Sequence, residues 1–177
     1  MNYYKILRKD ECHNEFQFKD GLNIDTVPFN PTGTCQKGGI YFSREDILAF
    51  LNYGPWIRQV TIPEDAQVYK DPESSPEKWK ADKIILGPRK RIDLDVIKSL
   101  FKEGADIHSC NDYALRWASE YGHLEIVKFL VENGADIHVW DDYALRRASQ
   151  NGHLEIVKFL IKKGADIHIR EDEALIY

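Results

Sequence analysis

A chain of 177 residues with 43% hydrophobic and 30% charged side chains can form one sizeable domain or two small ones, and this composition excludes wholesale disorder. The formal net charge of -5 and the isoelectric point near 5.7 argue against nucleic acid or an anionic membrane as a partner, because both need a positive field. No segment approaches the roughly 18 apolar residues of a membrane span, and the first residues lack the apolar core of a secretion signal.

Residues 1–88 predict an α+β domain, because β-rich runs alternate with turn-forming clusters of Gly, Pro and Asn. The predicted strands are Tyr3–Leu7, Glu15–Phe18, Gly39–Phe42, Trp56–Ile62 and Lys83–Leu86. One helix is predicted after Ser43, whose hydroxyl would form a near capping box with Asp46, and it runs toward Gly54. A short basic cluster at 89–91 follows, which we interpret as a solvated linker.

Three cysteines, Cys12, Cys35 and Cys110, stand at irregular and distant positions. This spacing gives neither a disulfide framework nor a Cys-x-x-Cys metal half-site. We therefore expect free thiols in a reducing compartment, and a protein that stays where it is translated.

The second half of the chain repeats itself. The pentapeptide Gly-Ala-Asp-Ile-His begins at Gly104, Gly134 and Gly164, which gives a period of 30 residues. Between these copies, Asp-Tyr-Ala-Leu-Arg-x-Ala-Ser-x-x-Gly-His-Leu-Glu-Ile-Val-Lys-Phe-Leu occurs at 112–130 and again at 142–160. Self-similarity at a period of this size indicates small units that stack on one another.

Each repeat predicts two short helices. Asp112 and Asp142 stand where a side-chain oxygen can cap the first helix. Apolar residues at helical spacing predict the second helix over Leu124–Glu132 and over Leu154–Lys162. Isolated helices shorter than about 12 to 15 residues barely persist in water, so stacking must stabilise them.

These patterns divide the chain into an α+β domain at 1–88 and a repeat region at 89–177. The repeat region holds a half-repeat at 92–104, full repeats at about 105–134 and 135–164, and a partial repeat at 165–177. We expect the N-terminal region to cap the array through the half-repeat.

The repeated motif resembles the ankyrin repeat, in which Thr-Pro-Leu-His opens the first helix and Gly-Ala-Asp closes the second. The period of 30 differs from the usual 33, and the three residues are missing between His108 and Tyr113, so the hairpin should be short. Tyr-Ala-Leu-Arg replaces Thr-Pro-Leu-His, which removes side chains that connect adjacent repeats in the family. The resemblance implies an all-α ankyrin-repeat solenoid after the α+β domain, and a function in binding a protein partner.

The region before the repeats carries Phe16-Gln-Phe, Gly21-Leu-Asn and Cys35-Gln-Lys-Gly-Gly-Ile-Tyr-Phe, then a helix and strands at 57–63 and 83–87. This layout resembles the leading domain of the ankyrin-repeat proteins of giant viruses of amoebae, the mimivirus group. The resemblance implies a viral protein that acts on a host protein in the host cytoplasm.

Ankyrin-type arrays bind through the hairpin tips and the exposed side of the first helices, the concave face. Positions that differ between near-identical repeats can encode a partner, and Trp, Tyr and Arg are the usual hot spots. The candidate partner-binding residues are Trp117, Tyr121, Trp140, Asp141, Arg147, Asn151 and Arg170. The alternative for Trp117 and Trp140 is packing against the neighbouring repeat and the hairpin.

We expect no enzymatic activity, and we identify no catalytic residue, cofactor or metal site in the sequence. His123 and His153 begin His-x-Glu, yet the Pro-Cys-x-x-Cys of zinc deaminases is absent. We interpret Gly-His as a helix junction whose imidazole bonds to neighbouring backbone. His108, His138 and His168 recur once per repeat, which suggests a stacked ladder.

An enzymatic alternative concerns the N-terminal domain. Gly38-Gly-Ile-Tyr-Phe-Ser resembles the Tyr-Phe-Ser strand of ADP-ribosyltransferase-like domains, where this strand lines the NAD pocket. The candidates for that chemistry are Arg8 or His13, Tyr41, Ser43 and Glu64, and the repeats would then select the target. A further alternative is an adaptor for host ubiquitin-ligase machinery, although we find no F-box-like segment.

Overall fold

The computed structural model describes residues 2–13, 15–32 and 36–168. The chain forms two compact units, the first ending at Asp106 and the second beginning at Ile107. Among the described residues, no helix is both long and apolar enough to cross a membrane.

The first unit consists mainly of short strands. They are β1 (Tyr3–Leu7), β2 (Cys12–His13), β3 (Phe16–Gln17), β4 (Gly21–Ile24), β5 (Ile40–Phe42), β6 (Trp56–Thr61), β7 (Val68–Lys70), β8 (Trp79–Ala81), β9 (Lys83–Leu86) and β10 (Lys90–Arg91). A 3₁₀ helix (Glu45–Tyr53) follows β5, and an α-helix, α1 (Leu94–Lys102), follows β10. Strands and helices in one unit are consistent with the predicted α+β domain.

Five strands form an antiparallel sheet around β6. Strand β1 pairs with β6 from Tyr3 opposite Val60 to Leu7 opposite Trp56. Strands β9 and β10 also pair with β6, and β4 pairs with β9 at the outside of the sheet. The order β5-β8-β7 makes a second antiparallel sheet, and β2 and β3 make a hairpin.

Apolar side chains from both sheets form the core of the first unit. The buried cluster consists of Leu7, Phe18, Ile40, Phe42, Val60, Ala81, Ile84 and Leu86. The sheets meet where Tyr4 and Ser43 exchange two backbone hydrogen bonds of 2.8 and 2.9 Å. This junction places β1 beside β5, and both strands line a cavity in the first unit.

The predicted capping box at Ser43 is wrong. Ser43 Oγ donates to the backbone carbonyl of Glu77 at 2.9 Å, and the Asp46 carboxylate accepts from the backbone amide of Glu77 at 2.6 Å. Both side chains therefore bond to the backbone of Glu77, which is 34 residues after Ser43 and 31 residues after Asp46. The helix itself lies where it was predicted, but it is a 3₁₀ helix.

Helix α1, the half-repeat, belongs to the first unit. It begins after Asp93, whose carboxylate accepts from the backbone amide of Val96 at 3.0 Å. Tyr4 Oη donates to the Glu103 carboxylate at 2.9 Å, which attaches the end of α1 to β1. The packing boundary thus follows the half-repeat, whereas the sequence pattern changes near residue 88.

Between Ile107 and His168, the second unit consists of helices joined by turns. They are α2 (Ser109–Glu120), α3 (Leu124–Glu132), α4 (Val139–Gln150) and α5 (Leu154–Lys162). Helices α3 and α5 have the predicted bounds. One leucine of each helix is fully buried, namely Leu115, Leu130, Leu145 and Leu160, so equivalent positions of the two repeats build the core.

Candidate functional site

A left-handed turn opens the first helix of each repeat. The φ values are 53°, 56° and 51° at 110–112, and they have the same values at 140–142. The left-handed helix costs L-residues roughly 1 to 2 kcal/mol per residue, although Asn and Asp tolerate this region better than most. Asn and Asp occupy four of the six positions, and Cys110 and Trp140 occupy the others. The turn lies where the repeat is three residues short of the usual ankyrin length.

The arginine of Tyr-Ala-Leu-Arg stabilises this turn. Arg116 is buried, its Nε donates to the Asn111 carbonyl at 3.1 Å, and its Nη2 donates to the Cys110 carbonyl at 2.8 Å. Arg146 makes the two equivalent bonds in the next repeat, at 3.1 and 3.2 Å. A guanidinium supplies donors in a fixed planar geometry, so one side chain bonds to two carbonyls of the turn. Sequence reasoning missed this role, although the arginine is common to both repeats.

The predicted helix-capping role of Asp112 and Asp142 is wrong. Both side chains are buried, and their carboxylates accept hydrogen bonds from the next repeat. Asp112 Oδ1 accepts from the Asp136 backbone amide at 3.2 Å, and Asp142 Oδ2 accepts from the Asp166 amide at 2.6 Å. Each carboxylate therefore connects neighbouring repeats, which compensates in part for the missing Thr-Pro-Leu-His contacts.

The repeated histidines contact carboxylates of their own repeats. His108 Nδ1 lies 3.0 Å from Asp112 Oδ1, and His138 Nδ1 lies 2.8 Å from Asp142 Oδ1. Within the described part of the chain, no group of three or more His, Cys, Asp or Glu side chains could hold a metal ion.

The Gly-His junction behaves as predicted at His153. Its Nε2 lies 3.0 Å from the Glu120 backbone carbonyl of the preceding repeat. Its ring covers Gly122, where an added Cβ would meet the ring at 2.7 Å, and Gly122 has a φ of +78°. Glycine is therefore required here for both conformation and space.

Trp140 combines exposure with a fixed position. It remains 52% exposed, yet the guanidinium of Arg116 lies 3.8 Å from its ring centroid. The Tyr143 ring lies edge-on to the indole, with the two ring centroids 5.9 Å apart. Burial lowers the pKa of Arg116, and the facing aromatic rings can stabilise its positive charge. Trp140 thus packs on the preceding repeat through one face and leaves part of the side chain exposed.

Trp117 and Tyr121 lie together at the end of α2. Trp117 is half-buried, with its centroid 5.9 Å from that of Tyr121 and 4.8 Å from that of His123. Tyr121 is 58% exposed. Packing within its own repeat therefore explains part of the burial of Trp117, whereas most of the Tyr121 side chain is accessible to a partner.

The other candidate residues differ in how many contacts they already make within the chain. Arg147 forms an ion pair with Glu120 of the preceding repeat and bonds to Gln150 at 3.0 Å. The exposed Asn151 donates to the Arg147 carbonyl at 2.9 Å. Asp141 is exposed. The remaining candidate, Arg170, lies outside the described residues.

The residues proposed for a transferase meet only in part. Arg8, His13, Tyr41 and Ser43 line a cavity of about 750 Å³ in the first unit. Glu64 lies in the turn after β6, away from this lining. The structure therefore does not bring the proposed catalytic carboxylate to the other candidates.

The paired helices and repeated cores define an ankyrin-type protein. The family described as ankyrin repeats matches residues 89–171. Ankyrin repeats are generally protein–protein interaction modules, so the chain carries a module of that class.

Three proteins of Acanthamoeba polyphaga mimivirus are similar to this chain. One, named an ankyrin repeat protein, is 43% identical over 128 residues, with 67% of this chain and 42% of the relative covered. Another of that name is 37% identical over 127 residues, covering 69% and 62%. A third, named an uncharacterized protein, is 39% identical over 126 residues, covering 69% and 91%. The chain belongs to the ankyrin-repeat proteins of the mimivirus type, and it spans 42% and 62% of the length of the first two relatives.

The similarity includes part of the leading region. The first relative aligns with 67% of this chain, which is about 119 of its 177 residues. The repeat region at 89–177 has only 89 residues. Each of these alignments must therefore extend into the part before the repeats. None of the three names states an enzymatic activity.

Proposed function

We propose that this chain is a noncatalytic recognition protein that binds a host protein through the tips and first helices of its repeats. The ankyrin family supports a protein partner, and relatives in a virus of an amoeba support a partner from the host cell. The net charge of -5 disfavours nucleic acid as the partner. We place the interaction in the host cytoplasm, where the cysteines would stay reduced.

The observation that carries this proposal is the position of Trp140. The side chain is half-exposed, but its ring already lies on Arg116 and Arg146 Nη2 donates to its backbone carbonyl. An aromatic side chain that is ordered beforehand loses little conformational freedom on binding. Tryptophan and tyrosine are also the residues in which interfaces concentrate their binding free energy.

The other candidate residues differ between the two repeats, although they occupy equivalent positions of the same fold. Tyr121 occupies the position that Asn151 holds in the next repeat, and both are exposed. Trp117 occupies the position of Arg147, which the Glu120 ion pair already holds in place. We assign direct contact to Trp140, Tyr121, Asp141 and Asn151, and a positioning role to Arg147.

The proposal is tested by affinity capture from amoeba lysate with the purified chain as bait. Trp140→Ala and Tyr121→Ala should each lose the captured host protein. Leu154→Ala is the matched control, since Leu154 is a large apolar residue that is 59% exposed on the second helix of its repeat. It should capture the same host protein as the unmodified chain.

Thermal unfolding of each variant separates contact from folding. Loss of capture by Trp140→Ala, while the array stays folded and loses only the small stability expected from its contact with Arg116, supports a direct contact. A host protein lost equally with Leu154→Ala, or retained by both aromatic variants, would overturn the assignment to the first-helix surface.

A further inference from the structure

The first unit contains a cavity that protein recognition by the repeats does not use. Its volume of about 750 Å³ lies within the range of about 300 to 1,000 Å³ that is typical of sites for small molecules. Strand β1, the β2–β3 hairpin, β5 and the 3₁₀ helix all contribute to its lining. All lining residues that the structure describes belong to the first unit.

A lysine from the middle of β1 lies in this lining. Lys5 Nζ donates to the Tyr41 backbone carbonyl at 2.6 Å and lies 4.8 Å from the centroid of the Phe18 ring. Within the described part of the chain, its ammonium forms no ion pair with a carboxylate. Burial lowers the pKa of Lys5 to about 8, which is the result expected for a cation without a compensating anion.

The charges that line the cavity are mainly positive. Among the described lining residues, the cations are Lys5, Arg8, Lys37 and Lys78, and the carboxylates are Glu15 and Asp25. Asp25 accepts from the backbone amide of Gly39 at 2.6 Å and from that of Val27 at 3.0 Å, so backbone donors already occupy it.

The pKa of His13, which also lines the cavity, responds to these positive charges. Burial lowers the pKa of His13, and the charges of Lys5 and Arg8 lower it further. The other titratable groups in the described part of the lining are the Tyr4, Tyr41 and Tyr53 phenols and the Cys12 thiol. An anion is the ligand that such a field would attract.

Aromatic rings provide the apolar part of the lining. Phe16 and Phe18 pack with centroids 4.9 Å apart, and Phe50 and Tyr53 pack at 6.0 Å. All four residues line the cavity. Flat apolar groups pack well against such rings, so charge and shape together define the chemistry of a ligand.

We propose that this cavity is a binding site for a small anionic molecule with a flat, apolar body, whose negative group binds the ammonium of Lys5. The site requires no catalysis, and it is independent of the protein-binding surface of the repeats. It gives the leading unit a function of its own.

Two fluorescent probes of nearly the same shape test the proposal. Anilinonaphthalene sulfonate carries a negative group, and N-phenylnaphthylamine is the same ring system without it. The unmodified chain should bind the sulfonate about tenfold more tightly than the neutral probe, as expected for a hydrogen bond to a charged group. Lys5→Met should abolish this preference, whereas Lys102→Met, an exposed lysine of α1, should preserve it.

A measurement on the unmodified chain keeps the proposal testable if Lys5→Met fails to fold. The sulfonate should protect Lys5 from acetylation, as read by mass spectrometry of its peptide, and it should leave Lys102 unprotected. Equal affinity for the two probes would overturn the proposal, as would a charge preference that survives Lys5→Met. Acetylation of Lys5 at the same rate with and without the sulfonate would also overturn it.

Discussion

The contact between Arg116 and Trp140 allows a quantitative test of how the repeat tip is held. The guanidinium lies 3.8 Å from the indole centroid and also donates to two carbonyls of the left-handed turn. A cation over an aromatic ring contributes about 0.5 to 1 kcal/mol when exposed and about 2 kcal/mol when desolvated. Because Arg116 is buried and Trp140 is half-exposed, we expect a coupling free energy of about 1 kcal/mol.

A double-mutant cycle with Arg116→Met and Trp140→Ala measures this coupling. Arg116→Met alone should lower the free energy of unfolding by about 2 to 4 kcal/mol, since two partly buried hydrogen bonds from a charged donor are also lost. Urea unfolding is followed by circular dichroism at a helix band, so that loss of the indole does not affect the signal.

The same cycle with Arg146→Met provides the control. Arg146 Nη2 donates to the backbone carbonyl of Trp140, which alanine retains. The control coupling should therefore stay below about 0.5 kcal/mol, within the scatter of independent sites. Equal couplings for Arg116 and Arg146, or none for Arg116, would refute the idea that a guanidinium holds the indole.

The left-handed turn, the partly buried lysine and the N-terminal cavity can each be tested separately. Cys110→Gly should stabilise the array by up to about 1 kcal/mol, since a non-glycine residue holds a φ of +53° there; a loss of stability in urea unfolding would contradict the strain. The pKa of Lys5 is about 8 in the folded state and about 10.4 in the unfolded state, so the unfolded state binds more protons between these two pH values. The free energy of unfolding should therefore rise by about 1 to 3 kcal/mol across this pH range, relative to Lys5→Met. Identical pH profiles of the two proteins would contradict the lowered pKa. Incubation with labelled NAD should give no transfer to protein, because Glu64 lies outside the cavity of the other candidates; label incorporation would support the transferase.

Local signals in the sequence were sufficient for the parts of the fold that depend on local pattern. Helices α3 and α5 were predicted with correct bounds, because glycines end them and their apolar spacing is regular. Strands β1 and β9 were also predicted correctly from their β-rich runs. By contrast, β7 and β8 were missed, because polar and charged residues interrupt these short strands.

The errors concern side chains whose partners are distant in sequence. Asp112 has the residue type and position of a helix cap, yet it bonds to an amide 24 residues further on. Ser43 and Asp46 bond to Glu77 instead of to each other. A local pattern shows that a side chain can accept or donate a hydrogen bond, but only the packed structure decides which group is near enough.

In the candidate site, too, the sequence indicated some residues, and only the packed structure showed the others. Differences between repeats indicated Trp140 and Tyr121, and both are exposed at 52% and 58%. A comparison of the two repeats could not indicate Arg116, because Arg146 is the same residue at the equivalent position. Residues that both repeats share nevertheless hold the left-handed turns in place. Lys5 gave no signal either, because a lysine in a strand is ordinarily solvated until packing places it in a cavity.

The central claim is that the first-helix surface of the repeats contacts a host protein, and site-specific photo-crosslinking in amoeba lysate tests it most directly. The photoreactive residue benzoylphenylalanine replaces Tyr121 in one protein and Leu154 in another, since both positions are similarly exposed. We expect a discrete cross-linked host protein from position 121 and none from position 154. A product from position 154 alone, or the same product from both, would contradict the claim.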